Sequence, residues 1–104
     1  MNDTFLDIYV AESFSDRLMG FMGKTNIHYG ILFPKCNSIH TFFMKEEIDV
    51  IGLNEKNEII FLERNVFKNK IIKINHDIKK TSVLELPKNT SLSFRIGDTL
   101  NLIL

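Results

Sequence analysis

About eight short apolar runs recur along this chain at even spacing, separated by polar turns. Each run has the length of a strand rather than of a helix, and that rhythm restricts the fold more than any other feature. Residues 4–10 alternate, with Leu6, Ile8 and Val10 on one face and Asp7 on the other. Period two is the mark of a half-buried strand. Further strands are expected at residues 30–33, 38–45, 48–53, 58–63, 70–74, 81–86 and 99–104. Asn54-Glu55-Lys56-Asn57 between two of them suits a hairpin. Ser91–Phe94 reads as one helical or 3₁₀ turn. With 104 residues and 44% hydrophobic content, the chain is long enough for one packed domain spanning 1–104. The expected fold is mainly β, a compact antiparallel sandwich or barrel of about eight short strands.

One segment breaks the rhythm. Ser13-Phe14-Ser15-Asp16 has the form of a capping box, and Phe14, Leu18, Phe21 and Met22 follow at helical spacing. Gly20 and Gly23 weaken and then end the pattern, so a short N-terminal helix of about two turns is expected.

Charge narrows the function classes. Thirteen basic and thirteen acidic side chains leave no net charge, which argues against a dedicated nucleic-acid binder. Lys68, Lys70, Lys73, Lys79 and Lys80 cluster with His76, but no aromatic residue interleaves them as a base-stacking surface needs. A lysine-protected sheet edge accounts for them. No stretch approaches the roughly 18 apolar residues that span a bilayer, so no membrane association is expected. The lone Cys36 excludes an internal disulfide and a Cys-rich zinc site. Acidic Asp3 stands where a secretory signal would be basic, so a cytoplasmic protein with a reduced thiol is expected. There is no Gly-rich phosphate loop and no Gly-x-Ser-x-Gly elbow.

Three stretches together carry a resemblance. They are Arg17-Leu18-Met19-Gly20-Phe21-Met22-Gly23, then Cys36-Asn37-Ser38-Ile39-His40-Thr41-Phe42-Phe43-Met44-Lys45 with Ile48-Asp49-Val50, and last Val83-Leu84-Glu85-Leu86-Pro87 with Gly97-Asp98. In order and spacing they resemble the prokaryotic family called domain of unknown function 192. The resemblance implies a mainly β fold with a short helix, and it implies no particular reaction. Two departures stand out. Glu46-Glu47 replaces the family's usual apolar residue and proline, and Gly52 replaces a usually large aromatic residue.

Several side chains could carry chemistry. His40 sits among apolar residues, and alternation would put it on one face with Phe42 and Met44. It can act as acid, base or hydrogen-bonding group, or be a half-buried histidine with both nitrogens bonded. Asp49 and Glu85 lie between strongly apolar neighbours, and buried charges need partners. Glu85, with Val83, is expected to oppose the core face, and Arg17 and Lys45 are the natural cations for such carboxylates. His40, Asp49 and Glu85 form no metal-binding spacing, so neither metal nor cofactor is expected.

The leading expectation is a non-enzymatic binding module for a small molecule, saccharide or peptide. Its cleft would lie between residues 17–23 and 40–49. Arg17 and Lys45 would meet a polar or anionic group, His40 would hydrogen-bond, and Met22 and Phe43 would give apolar contact. Gly20 and Gly23 would permit close backbone approach. The alternative is a hydrolase- or lyase-type enzyme with catalytic His40, Asp49 and Glu85. A third reading is a protein-interaction subunit pairing through a strand edge. A monomer or weak homodimer is the expected state.

Overall fold

The computed structural model describes residues 6–13 and 20–102. Among them are seven strands: β1 (Ile8–Val10), β2 (Gly30–Phe33), β3 (Ser38–His40), β4 (Ile48–Leu53), β5 (Ile59–Val66), β6 (Ile71–Lys73) and β7 (Ser82–Pro87). Five form one sheet in the order β1-β2-β7-β4-β5, and β3 pairs with β6 in a separate ribbon. The fold is mainly β, as expected, but it is an open sheet with a two-stranded ribbon and not a closed barrel.

Three expectations change. The first is strand direction, since β1 runs parallel to β2. Residues 11–29 connect them and are long enough for the crossover that a parallel pair requires. The second is the strand expected over 38–45, which stops at His40. Thr41 is drawn toward the 67–70 loop: its Oγ1 donates to the Phe67 carbonyl at 2.6 Å and accepts from the Lys70 N–H at 2.9 Å. Phe43 then takes a left-handed φ of +62°, and the chain turns. The third is the last strand, which among the described residues is one bridge between Thr99 and Glu58. Most of the expected N-terminal helix, residues 14–19, lies outside the described residues. Its expected end, residues 20–23, is a turn.

The hairpin after β4 forms where the polar connection lies. Asn54 Oδ1 accepts from the Lys56 and Glu58 N–H groups at 3.0 and 2.9 Å, and Asn57 adopts φ +60°. Asparagine suits both roles, because its side chain mimics a backbone acceptor and its backbone tolerates left-handed φ.

Strand β4 is buried along its whole length. Ile48 and Val50 pack with Ile31, Phe33 and Val83 on one face, which Phe21, Met44, Ile72 and Ile74 cover. Ile51 and Leu53 pack with Leu32, Leu84 and Leu86 on the other, which Phe94 and Leu100 cover. Both faces of the sheet are therefore core, and each fully buried aliphatic side chain contributes roughly 1.5–3 kcal/mol. The expectation that the Val83 and Glu85 side of β7 opposes the core is corrected accordingly. The Gly52 departure has a packing reason. A Cβ there would lie 2.7 Å from Ile74 Cδ1 and 2.9 Å from Phe61 Cβ, so those side chains occupy the space of a larger residue.

Candidate functional site

Strand β7 lies in the middle of the five-stranded sheet, and Glu85 lies in the middle of β7. Its register partners are Ile31 on β2 and Val50 on β4, both apolar and buried. Glu85 is only 4% exposed. A backbone hydrogen bond from Phe21 reaches its carboxyl group. Its Oε1 is buried and has no hydrogen-bond partner among the described residues. Burial pushes the acid from an ordinary 4.5 up to about 8, against the opposing pull of the Phe21 N–H. Glu85 is therefore a neutral carboxylic acid at pH 7.

The 20–23 turn lies directly above this acid. Gly20 has φ +47°, and a Cβ at that position would come within 3.3 Å of Glu85 Oε1. Glycine thus serves both the left-handed backbone and the close approach. Phe21 is buried beside it and meets the Tyr29 ring edge-on at 5.5 Å.

Strand β3 and the turn after it supply the facing wall. His40 stacks on Phe42, with ring centroids 5.1 Å apart and planes 23° apart. Its Nδ1 accepts the Phe42 backbone N–H at 3.2 Å. In the neutral ring the proton therefore sits on Nε2. Cys36 is a free thiol whose Sγ donates to the Ser38 carbonyl at 3.2 Å. Between these walls is a cleft of about 190 Å³, lined among others by Gly20, Met22, Phe33, His40, Phe42 and Glu85. At about 30 Å³ per water, that is the space of roughly six waters.

The expected site residues divide. His40, Glu85, Gly20 and Met22 share this cleft. Gly23 and Phe43 are joined by a 2.9 Å hydrogen bond from the Gly23 N–H to the Phe43 carbonyl, but neither lines it. The Phe43 side chain is 74% exposed, and it is Phe42 that forms the wall, because the chain turns at Thr41. Lys45 borders a different, more open hollow with Asn26, Glu46, Phe67 and Lys88. There the Glu46 carboxylate accepts from the Asn26 and Ile27 N–H groups at 3.0 and 3.4 Å, which gives the Glu46 departure a loop-anchoring role. Arg17 lies outside the described residues.

Asp49 does not join His40 and Glu85. It lies on the opposite face of the sheet, fully buried. Its Oδ2 accepts from Ser91 Oγ at 2.6 Å and from the Ser91 N–H at 3.2 Å. Its Oδ1 accepts from the Asn65 N–H at 3.2 Å. Register slips here, with Ile48 opposite Val66 but Val50 opposite Glu63, so that Arg64 and Asn65 bulge across from Asp49. Arg64 reaches the same turn from the other side and donates to the Ser91 and Phe94 carbonyls at 2.8 Å each. Asp49 thus ties the 91–94 turn to the sheet. Among the described residues no three His, Cys, Asp or Glu side chains are grouped to hold a metal ion.

The family model named DUF192, described as "Uncharacterized ACR", matches residues 1–102. The chain belongs to the DUF192 family. A UPF0127 protein of Thermococcus sibiricus is 36% identical over 63 residues, covering 55% of this chain and 41% of that protein. The chain therefore spans well under half of that relative's length where they match. A crystal structure of a Novosphingobium aromaticivorans protein of unknown function superposes with a TM-score of 0.80 at 15% identity, covering 93% of this chain and 75% of the other. A Sinorhizobium meliloti crystal structure, provisionally named a transcription regulator, gives 0.76 at 22% identity, covering 92% and 81%. The two solved structures share this chain's fold. No helix among the described residues is long and apolar enough to cross a membrane.

Proposed function

We propose that this DUF192 protein is a non-enzymatic binding module whose ligand is a small molecule held between the 20–22 turn and β3. The observation that carries this reading is Glu85 Oε1, a buried polar atom at the wall of a cleft with no partner among the described residues. An unsatisfied buried polar group costs on the order of 1–3 kcal/mol. A ligand that met it would recover that cost on binding. The walls are mostly aromatic, aliphatic and thioether, with few polar groups, which is the usual make-up of a small-molecule site. The volume suits a compact ligand better than a peptide or an oligosaccharide.

The enzyme reading is less well supported. A histidine base is normally oriented by a carboxylate on one nitrogen and accepts a proton on the other. Here a backbone N–H occupies Nδ1, and Nε2 already holds the proton of the neutral ring. Asp49 is engaged on the far face of the sheet.

The test is a two-dimensional amide NMR titration with pools of metabolites, oligosaccharides and divalent ions. The expected result is saturable shifts at residues 20–22, 39–42 and 85. If every pool leaves those amides unmoved, the binding reading fails. Product formation in the same tubes would favour the enzyme instead.

A further inference from the structure

We infer that the cleft grips an uncharged carbonyl or carboxamide oxygen of its ligand between two hydrogen-bond donors, the Glu85 carboxyl group and the His40 Nε2–H. This deepens the binding-module reading and rests on it. Both side chains line the same cleft. The Phe42 N–H occupies His40 Nδ1, so what the neutral ring still offers is a donor. Glu85 is more than nine-tenths buried, and one of its oxygens has no partner among the described residues. With the acid neutral, its O–H is a second donor in need of an acceptor. The other polar lining side chains are Cys36 and Ser38, and the Cys36 thiol is committed to the Ser38 carbonyl.

Charge complementarity separates this from two rivals. A ligand ammonium would face the His40 N–H as a like donor and would require Glu85 to ionise inside an apolar wall. A carboxylate would bring a charge into a cleft whose described lining holds no Lys or Arg. An uncharged oxygen accepts from both donors and leaves the site neutral, and a flat apolar body can lie against Phe33, Phe42 and Met44.

Among the described residues, the titratable groups that face Glu85 are few. The residues around the cleft on β3 and its flanks contribute His40 and Cys36. Strand β4 presents Val50, β2 presents Ile31 and Phe33, and the turn presents Phe21 and Met22. Ligand affinity should therefore follow the protonation of Glu85 at alkaline pH.

Three probes of matched size separate the cases: benzamide, benzoate and benzylamine, each titrated into the full chain and followed by amide NMR. Benzamide should shift residues 20–22, 40 and 85 saturably. The two charged probes should bind about tenfold more weakly, as loss of one good hydrogen bond implies. Benzamide affinity should fall above about pH 8 and level off about tenfold lower, because only the protonated acid donates. Glu85→Gln keeps a donor at that position, so it should retain benzamide binding and lose the pH dependence. If that variant does not fold, the wild-type pH series and the ranking of probes decide alone. Tightest binding by benzylamine, or benzamide binding that ignores pH, overturns the donor assignment and leaves the cleft a binding site. If metabolite pools shift these amides and none of the three probes does, the inference fails and the binding reading stands. If nothing shifts them, both fall.

Discussion

Asp49 and Glu85 stand one rung apart on paired strands and point to opposite faces of the sheet. The register sets Val50 against Glu85 and Asp49 against Leu86. Directly paired residues share a face, so the two carboxyl groups are separated by the sheet itself. One accepts three hydrogen bonds, and the other has an oxygen with none among the described residues. Two acids of similar sequence setting thus have different work, one in holding the fold and one in the cleft.

Glu85 makes stability depend on pH in a definite direction. Its folded value, about 8, lies above the ordinary 4.5. Below the ordinary value the acid is protonated folded or unfolded, and its stabilising effect is fully present. Between the two values the unfolded chain gives up the proton and the folded one keeps it, so stability falls as pH rises. The loss should be complete above about 8 and amount to roughly 3–5 kcal/mol. Urea unfolding of wild type and Glu85→Gln across this range checks it. The difference between the two curves should flatten at alkaline pH, and parallel curves throughout would show that Glu85 does not cause the slope.

Asp49→Ala should destabilise the fold by about 2–5 kcal/mol, since it leaves the buried Ser91 N–H and the part-buried Asn65 N–H without their acceptor. Hydrogen exchange at the Ser91 amide should accelerate before exchange in β4. Any folded fraction should bind cleft ligands as wild type does, because Asp49 faces the other way.

Gly20→Ala and Gly23→Ala form a matched pair. Both place a side chain on left-handed backbone, at φ +47° and +71°, which costs about 1 kcal/mol or more. A Cβ at Gly23 meets nothing within 4 Å, whereas one at Gly20 presses on Glu85 Oε1 and the Phe33 ring. Thermal melts should show both variants weakened. Ligand titration should show affinity lost in Gly20→Ala and kept in Gly23→Ala.

Thr41→Val keeps the shape of the side chain and removes its hydroxyl. The Phe67 carbonyl loses a donor and the Lys70 N–H loses an acceptor, so a cost of about 1–3 kcal/mol is expected in urea unfolding. Exchange at the Lys70 amide should rise selectively. Unchanged protection there would mean that the hydroxyl does not hold the 67–70 loop.

Local pattern made β4 and its hairpin readable: β4 ends at Leu53, where the polar connection begins, and Asn54 and Asn57 carry the turn chemistry. What stayed hidden depended on distant partners. The end of β3 is set by Phe67 and Lys70, more than twenty residues beyond Thr41. Period two cannot report strand direction, so the parallel β1–β2 pair left no trace in it. Nor can it show that both faces of a strand are covered, and for that reason the pattern alone sets Glu85 on the outer side. The candidate site was half legible. His40, Glu85, Gly20 and Met22 converge, while closeness to His40 along the chain is all that links Asp49, Phe43 and Lys45 to them. The unbroken burial of Ile48–Leu53 accompanies an apolar residue at nearly every position, and that was the available signal for a two-faced core.

The strand order β1-β2-β7-β4-β5 has a consequence for the order of assembly. As the chain leaves the ribosome, β1 with β2 and β4 with β5 can each form a pair, but the two pairs have no common border. The segment that joins them is the last of the seven strands to be made. Until residues 82–87 arrive, the inner edges of both pairs offer unpaired backbone groups to any other chain nearby. A ribosome paused ahead of β7 would hold two exposed half-sheets, and its product would depend on a chaperone or be lost to aggregation. Insertion of β7 closes both edges in one event and carries Glu85 beneath the turn at Gly20 at the same moment.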